Sequence, residues 1–330
     1  MSKMLRVGLV GCGGQSRLNL APAFSRTDSA RLVSCADVDE ARARQVADAF
    51  GIDAVHDSAE EVTKCVDVDA VIVAVPHRYL KDVALSAIDA GKHVFIEKPM
   101  GLNAAEGAEV VDAAENQGVV AMVGYCMRYS LSRMFIKSLL DRGAVGDVSF
   151  VAAGKGGGPL GGWLGGPYAE GGGQLLFLGS HLTDQVLWMT GDEAESVSGI
   201  VRWNAGGTDE TSAYTVRLKG GAVATFSVSQ ASGVGYDFVD VYGTRGRVRG
   251  DWKGDVVTVE SRVMPEYAHP TVLRIPGDNL EEMCYRELAA FVEAANSGAR
   301  APIPVSGGLL VLRILDAVVA SSNTESWIEV

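Results

Sequence analysis

Along the first 125 residues, short apolar runs alternate with stretches in which apolar positions recur every three or four residues. Leu5-Arg6-Val7-Gly8-Leu9-Val10 predicts a strand, with a helix beginning near Ser16. A second strand is expected over Arg31 to Ala36, and helical periodicity runs from Val38 to Phe50, ahead of Gly51. Ala54-Val55 makes a short strand and Ala59 to Lys64 a short helix. Ala70-Val71-Ile72-Val73-Ala74-Val75 is apolar throughout, as a strand covered on both faces should be. Pro76 stops it, and a helix is expected through about Leu80 to Ala90. His93-Val94-Phe95-Ile96 reads as a further buried strand. Asn103 is placed to cap a helix that reaches Asn116, with Gly118 beyond its end and a last strand over Val119 to Gly124. This alternation predicts a doubly wound parallel sheet, because right-handed crossovers put helices on both of its faces.

From Val148 onward the texture changes. Val148–Ala152, Tyr214–Leu218, Ala222–Val228 and Phe238–Tyr242 are short or alternating apolar stretches, several of them separated by glycine-rich turns. They predict a large, mainly antiparallel sheet whose neighbouring strands are joined by hairpins. Helical segments are expected around Leu182–Met189, Met283–Ala295 and Leu309–Ala320. The expected organisation is thus an α/β domain over 1–125 and an α+β domain over 126–330, the second binding substrate and mediating oligomerisation. Gly154 to Gly173 is too long and too dense in glycine for a simple turn, which makes it a candidate substrate-facing loop.

Composition narrows the function classes. The 330 residues suit roughly two domains, and 47% hydrophobic against 21% charged residues allows substantial cores. A formal net charge of −12 argues against a nucleic-acid partner. Met1-Ser2-Lys3 shows no signal-peptide pattern, and no uninterrupted apolar segment reaches membrane-spanning length, so a cytoplasmic protein with no membrane partner is expected. Cys12, Cys35, Cys65, Cys126 and Cys284 are scattered without metal-type spacing; reduced thiols and no metal site are expected.

Candidate chemistry begins at Gly11-Cys12-Gly13-Gly14-Gln15-Ser16, between the first strand and the first helix. This matches G-x-G-x-x-G at two of its three glycines. Gly11 permits the tight turn, Gly13 lets backbone approach a pyrophosphate, and Ser16 is small enough for strand–helix packing. Gly14 and Gln15 complete the phosphate-facing turn at the helix start. The first domain is therefore expected to be a Rossmann-type dinucleotide-binding domain. Asp37 follows the second strand, where a carboxylate would hydrogen-bond ribose hydroxyls and repel a 2′-phosphate. NAD is thus expected over NADP, although Asp37 and Asp39 could instead both cap the next helix, and Arg42 and Arg44 lie close by. At the end of the His93–Ile96 strand stands Glu97-Lys98-Pro99. A lysine partly desolvated there can exchange a proton with a substrate, or it can simply reach out of the strand end.

These residues together resemble the Gfo/Idh/MocA oxidoreductase family, over essentially the whole chain. The resemblance is carried by Gly11–Ser16, by Ala90-Gly91-Lys92-His93-Val94-Phe95-Ile96-Glu97-Lys98-Pro99, and by Gly124-Tyr125-Cys126-Met127-Arg128-Tyr129. It continues through Gly171-Gly172-Gly173-Gln174-Leu175, Gly179-Ser180-His181, Tyr242-Gly243-Thr244-Arg245-Gly246 and the ending Ser326-Trp327-Ile328-Glu329-Val330. By that resemblance Lys98 lies between nicotinamide and the substrate hydroxyl, Glu97 lies near the nicotinamide ribose, and the Lys98-Pro99 bond is cis. Val75-Pro76-His77 passes along the cofactor, and Arg128 belongs with the cofactor-binding residues. His77 is alternatively a polar strand-end residue, and Leu80 stands where the family often has a histidine.

The family's second catalytic motif reads D-x-G-x-H. Here the segment is Phe177-Leu178-Gly179-Ser180-His181, so the histidine is kept and the aspartate is replaced by a ring that cannot accept a proton. His181 is the expected partner of Lys98, and Asp184 either orients His181 or bonds within its own helix. Glu170 is a further carboxylate, and Tyr168 and Trp163 either stack on a sugar face or serve packing. The resemblance implies an NAD-dependent oxidoreductase acting on a secondary alcohol of a sugar, glycoside or cyclic polyol, as a homodimer or homotetramer. The alternatives are a redox-assisted NAD-dependent glycosidase and a noncatalytic regulator that binds NAD and a sugar.

Overall fold

The computed structural model describes residues 4–252 and 255–330, which form two units. In the first, β1 (Leu5–Val10), β2 (Ala30–Ala36), β3 (Ala54–His56), β4 (Ala70–Val73), β5 (His93–Glu97) and β6 (Ala121–Gly124) form one sheet in the order β3-β2-β1-β4-β5-β6. Every named pair in it is parallel. The strand order reverses between β1 and β4, which opens a crevice at the carboxyl ends of the strands.

The connecting helices are α1 (Ala21–Phe24), α2 (Glu40–Phe50), α3 (Ala59–Thr63), α4 (His77–Asp89) and α5 (Ala104–Gln117). A wide helical turn over Ser16–Leu20 precedes α1. The caps explain the boundaries. Asn103 accepts the Glu106 amide at 3.0 Å at the start of α5, and Gly118 ends that helix at φ 65°. α4 begins at His77 rather than near Leu80, because Pro76 leaves the strand in an extended conformation that leads straight into the helix.

The second unit is built on a nine-stranded sheet. Its strands are β7 (Val148–Gly156), β8 (Ala194–Trp203), β9 (Asp209–Leu218), β10 (Val223–Ser229), β11 (Tyr236–Gly243), β12 (Gly246–Asp251), β13 (Val256–Ser261), β14 (Thr271–Arg274) and β15 (Ile328–Glu329). The order is β14-β13-β12-β11-β7-β10-β9-β8-β15. Only β7 and β10 pair in parallel; the other named pairs are antiparallel. Thr244-Arg245 turns the β11–β12 hairpin, and the closing strand β15 pairs with β8 at the sheet edge. α6 (Leu131–Asp141) and α7 (Ser180–Thr190) belong to this unit, and Thr183 of α7 hydrogen-bonds Tyr214 of β9 at 2.8 Å. Tyr214 in turn stacks on Phe226 at 4.6 Å between ring centroids.

The chain does not divide once, near residue 125. Asn279–Leu310, which carries α8 (Leu280–Ser297) and the start of α9 (Val305–Thr324), groups with the first unit, whereas the sequence placed it in the second domain. The reason is the apolar face of α8. Met283, Cys284, Leu288, Phe291 and Val292 are buried, and Phe291 meets Phe95 of β5 edge-on with centroids 5.7 Å apart. Beyond α8, Pro304 bridges to Met122 and Val123 donates to the Ile303 carbonyl at 3.0 Å, so the strand edge at β6 is covered. α9 is long and apolar enough to cross a membrane by length and composition, although Arg313 and Asp316 interrupt it. Within the second unit its Val311, Leu312, Ile314, Leu315 and Val318 are buried, as in a core helix.

Candidate active site

In the first unit the expected cofactor residues all fall at the carboxyl end of the parallel sheet. Gly11 follows β1 at φ 93°, and a Cβ there would stand 2.3 Å from the Ala74 carbonyl oxygen, so no other residue fits the turn. A Cβ at Gly13 or Gly14 would meet nothing within 4 Å, which leaves the loop backbone open above its surface. Ser16 is buried and its hydroxyl donates to the Gly11 carbonyl at 2.5 Å, closing the loop from below.

Asp37, after β2, does not cap the next helix. Its Oδ2 accepts the Cys12 amide at 2.8 Å and its Oδ1 the Asp39 amide at 2.9 Å; Asp39 is the cap of α2. Arg42 approaches Asp37 to 3.5 Å. The carboxylate is thus fixed to the glycine loop, with the acceptor character that ribose hydroxyls require. An open glycine turn at a helix start and an anchored carboxylate beside it fit NAD: Gly11, Gly13, Gly14, Gln15 and Ser16 suit the pyrophosphate, and Asp37 suits the adenosine ribose.

Gln15 links this loop to the end of β5. Its amide nitrogen donates to Glu97 at 2.9 Å and lies 3.6 Å from the Cys284 thiol. Desolvation pushes the Glu97 carboxyl above the usual range, opposed by the Lys98 ammonium and the Gln15 amide. Lys98 is 6% exposed, and the Lys98-Pro99 peptide is cis, as the resemblance implied. Val75 and Pro76 form the link from β4 to α4, and His77, at the first turn of α4, is buried.

The second unit carries His181, Asp184 and Arg128. A wide helical turn over Leu175–Gly179 runs directly into α7, so Phe177, His181 and Asp184 ride on one helical segment. His181 is 6% and Asp184 1% exposed. Arg128 clamps Asp184 with both ends of its guanidinium, Nε to Oδ2 at 2.9 Å and the second nitrogen to Oδ1 at 2.5 Å. Burial raises the Asp184 carboxyl and Arg128 offsets part of that rise. Tyr168 packs edge-on against Trp203 at 5.5 Å, whereas Trp163 and Glu170 are exposed.

Sequence reasoning named Arg128 and Asp184 separately and did not foresee that they pair. It also missed Asp209, a buried carboxylate at the start of β9, and the close set of buried ligand-type atoms from Cys126, Cys284 and Glu287, all within 4.8 Å of one another. The i,i+3 spacing of Cys284 and Glu287 on the buried face of a helix was the available signal for the latter. The thiol of Cys284 is pushed up by its hydrogen bond to Cys126 and by burial.

Comparison with known proteins gives two family matches. Residues 5–125 match an oxidoreductase family model described as an NAD-binding Rossmann fold, and residues 134–249 match the GFO/IDH/MocA C-terminal domain. Trans-1,2-dihydrobenzene-1,2-diol dehydrogenase of Bos taurus is 29% identical over 244 residues, covering 74% of this chain and 71% of that protein. Inositol 2-dehydrogenase of Rhizobium meliloti is 26% identical over 327 residues, covering 96% of each. Among solved structures, GenD2 from gentamicin A biosynthesis, in complex with NAD, superposes with a TM-score of 0.87 at 26% identity, covering 100% of this chain and 97% of that one.

Proposed function

The chain belongs to the Gfo/Idh/MocA family of NAD-dependent oxidoreductases, and from that premise we propose that it acts on a secondary hydroxyl carried by a ring, in a sugar, glycoside or cyclic polyol. The observation that carries this reading is Lys98, buried beside Glu97 at the carboxyl end of β5 and just beyond an open glycine loop. Two relatives support the ring: a dihydrobenzene diol and inositol are both six-membered rings with adjacent hydroxyls.

NAD, when bound, supplies the hydride acceptor of the oxidation and, reduced, the donor of the reverse reaction. The chain supplies binding and proton management. Gly11, Gly13, Gly14, Gln15 and Ser16 hold the pyrophosphate, Asp37 the adenosine ribose, and Glu97, Val75, Pro76 and His77 line the nicotinamide half. Lys98 receives the proton of the substrate hydroxyl during oxidation and returns it during reduction. In the second unit His181 is the group proposed to handle a proton of the substrate, and the Arg128–Asp184 pair holds the helical segment that carries it. Phe177 offers no acceptor; it contributes an apolar surface suited to one face of a ring.

A panel of inositols, hexoses, methyl glycosides and cyclohexanediols assayed with NAD and with NADP, and of cyclic keto-sugars and hydroxycyclohexanones assayed with NADH, followed by absorbance of the reduced nicotinamide, tests the reading. At least one ring alcohol should reduce NAD. If no ring alcohol does so, and no ring ketone oxidises NADH, the proposal fails.

A further inference from the structure

In the second unit the glycine-rich loop is tied down by the residues that open β9. Thr208 donates its hydroxyl to the Gly166 carbonyl at 2.6 Å and to that of Gly165 at 3.1 Å, and the Tyr168 amide donates to Gly207 at 2.9 Å. One residue further on, Asp209 is fully buried, and its Oδ2 accepts the Leu175 amide at 2.9 Å. Leu175 is the first residue of the helical segment that carries Phe177 and His181. Gly173 adjoins this contact at φ 95°, and a Cβ on it would lie 1.8 Å from Asp209 Oδ1. The loop therefore has room for the carboxylate and for nothing else. Gln230 fixes the other side, donating to the Asp209 carbonyl at 2.6 Å.

We propose that Asp209 is a positioning residue whose ionised carboxylate holds the start of the His181-bearing helical segment and so sets where His181 stands. The proposal rests on the role given to His181 above. A helix start presents unsatisfied N–H groups and partial positive charge, and a carboxylate supplied from another strand answers both. The bond is charge-assisted only while Asp209 is ionised. Burial pushes its carboxyl up to about 7, opposed by the Leu175 amide, so the strength of this tether changes across neutral pH. The ionisable groups nearby are Tyr168 from the loop, Tyr214 from β9 and Asp316 from α9. Both tyrosine hydroxyls are raised by burial and stay neutral there.

Two measurements test this. Hydrogen exchange of the unmodified protein, corrected for intrinsic rates, should show the Leu175 amide gaining protection several-fold, relative to the other buried amides of the second unit, between pH 6 and pH 8. This reads the tether whatever His181 does. Flat protection overturns the proposal. With a substrate from the panel above, Asp209→Asn should match the unmodified enzyme at pH 6 and fall roughly tenfold behind in kcat at pH 8.5, with NAD affinity unchanged. A loss equal at both pH values also overturns it, because a merely structural role would not follow the ionisation. Protection that rises through pH 7 while kcat ignores it would leave the tether standing and remove the role given to His181.

Discussion

In the proposed reaction Lys98 is the group that takes up and returns the substrate proton. Lys98→Ala should leave NAD affinity, read by fluorescence titration, nearly unchanged while turnover drops by roughly 10²–10⁴-fold, the usual share of a positioned acid–base group. Lys98→Arg should not restore it, because a guanidinium stays protonated near neutral pH. Asp37 has two tasks: it anchors the Cys12 amide, and it presents acceptors at the end of β2. Asp37→Ala should therefore weaken NAD binding and narrow the preference for NAD over NADP, as measured by the ratio of dissociation constants. At this scale the sequence identified positions better than partnerships. Lys98, Asp37 and the glycines stand at strand ends that apolar runs mark plainly. Arg128 and Asp184 sit far apart in the chain, and no local pattern says that one will clamp the other.

Elements of the first unit were legible because their punctuation is local. Asn103, Gly118, Asp39 and Gly51 perform at α5 and α2 the capping that their residue types suggest. Asn103→Ala should accordingly cost about 1 kcal/mol of stability in a denaturant titration, with kcat unaffected. In the second unit β8, β12, β13, β14 and α6 escaped notice. β12 shows why: Val248 and Gly250 are its buried positions, and a glycine packed against Ile136 gives the alternation only one apolar side chain to show. The density of glycine predicts one loop from Gly154 to Gly173, yet its first residues, Gly154 to Gly156, continue β7. Phe238 and Tyr236 cover the two glycines, where a Cβ would stand 2.5 Å and 2.7 Å from their rings. Glycine there marks close side-chain cover rather than a turn.

For the molecule as a whole, Glu97, Asp184 and Asp209 share one property: burial raises each carboxyl above its ordinary range. A raised carboxyl favours the fold while protonated, and that contribution is lost as pH rises from the unfolded value through the folded one. For Asp209 the window runs from 3.8 to about 7. Asp209→Asn should therefore exceed the unmodified protein in unfolding free energy at pH 8 by up to about 4 kcal/mol, read by denaturant titration, and match it closely at pH 4. The residue proposed to place His181 is one that the fold would be more stable without, a trade common where function needs a buried charge.

The return of α8 to the first unit has a consequence for how the protein is made. A ribosome releases the six parallel strands long before the helix that covers Phe95. At roughly 5–20 residues per second, the segment from Met127 to Asp278 delays that helix by on the order of ten seconds. During that interval the nascent sheet carries an open apolar flank and the uncovered edge of β6. A fragment ending at Cys126 freezes the chain at that stage. It should bind hydrophobic dyes and sediment as aggregates, whereas the same fragment joined by a short linker to Asn279–Leu310 should melt cooperatively.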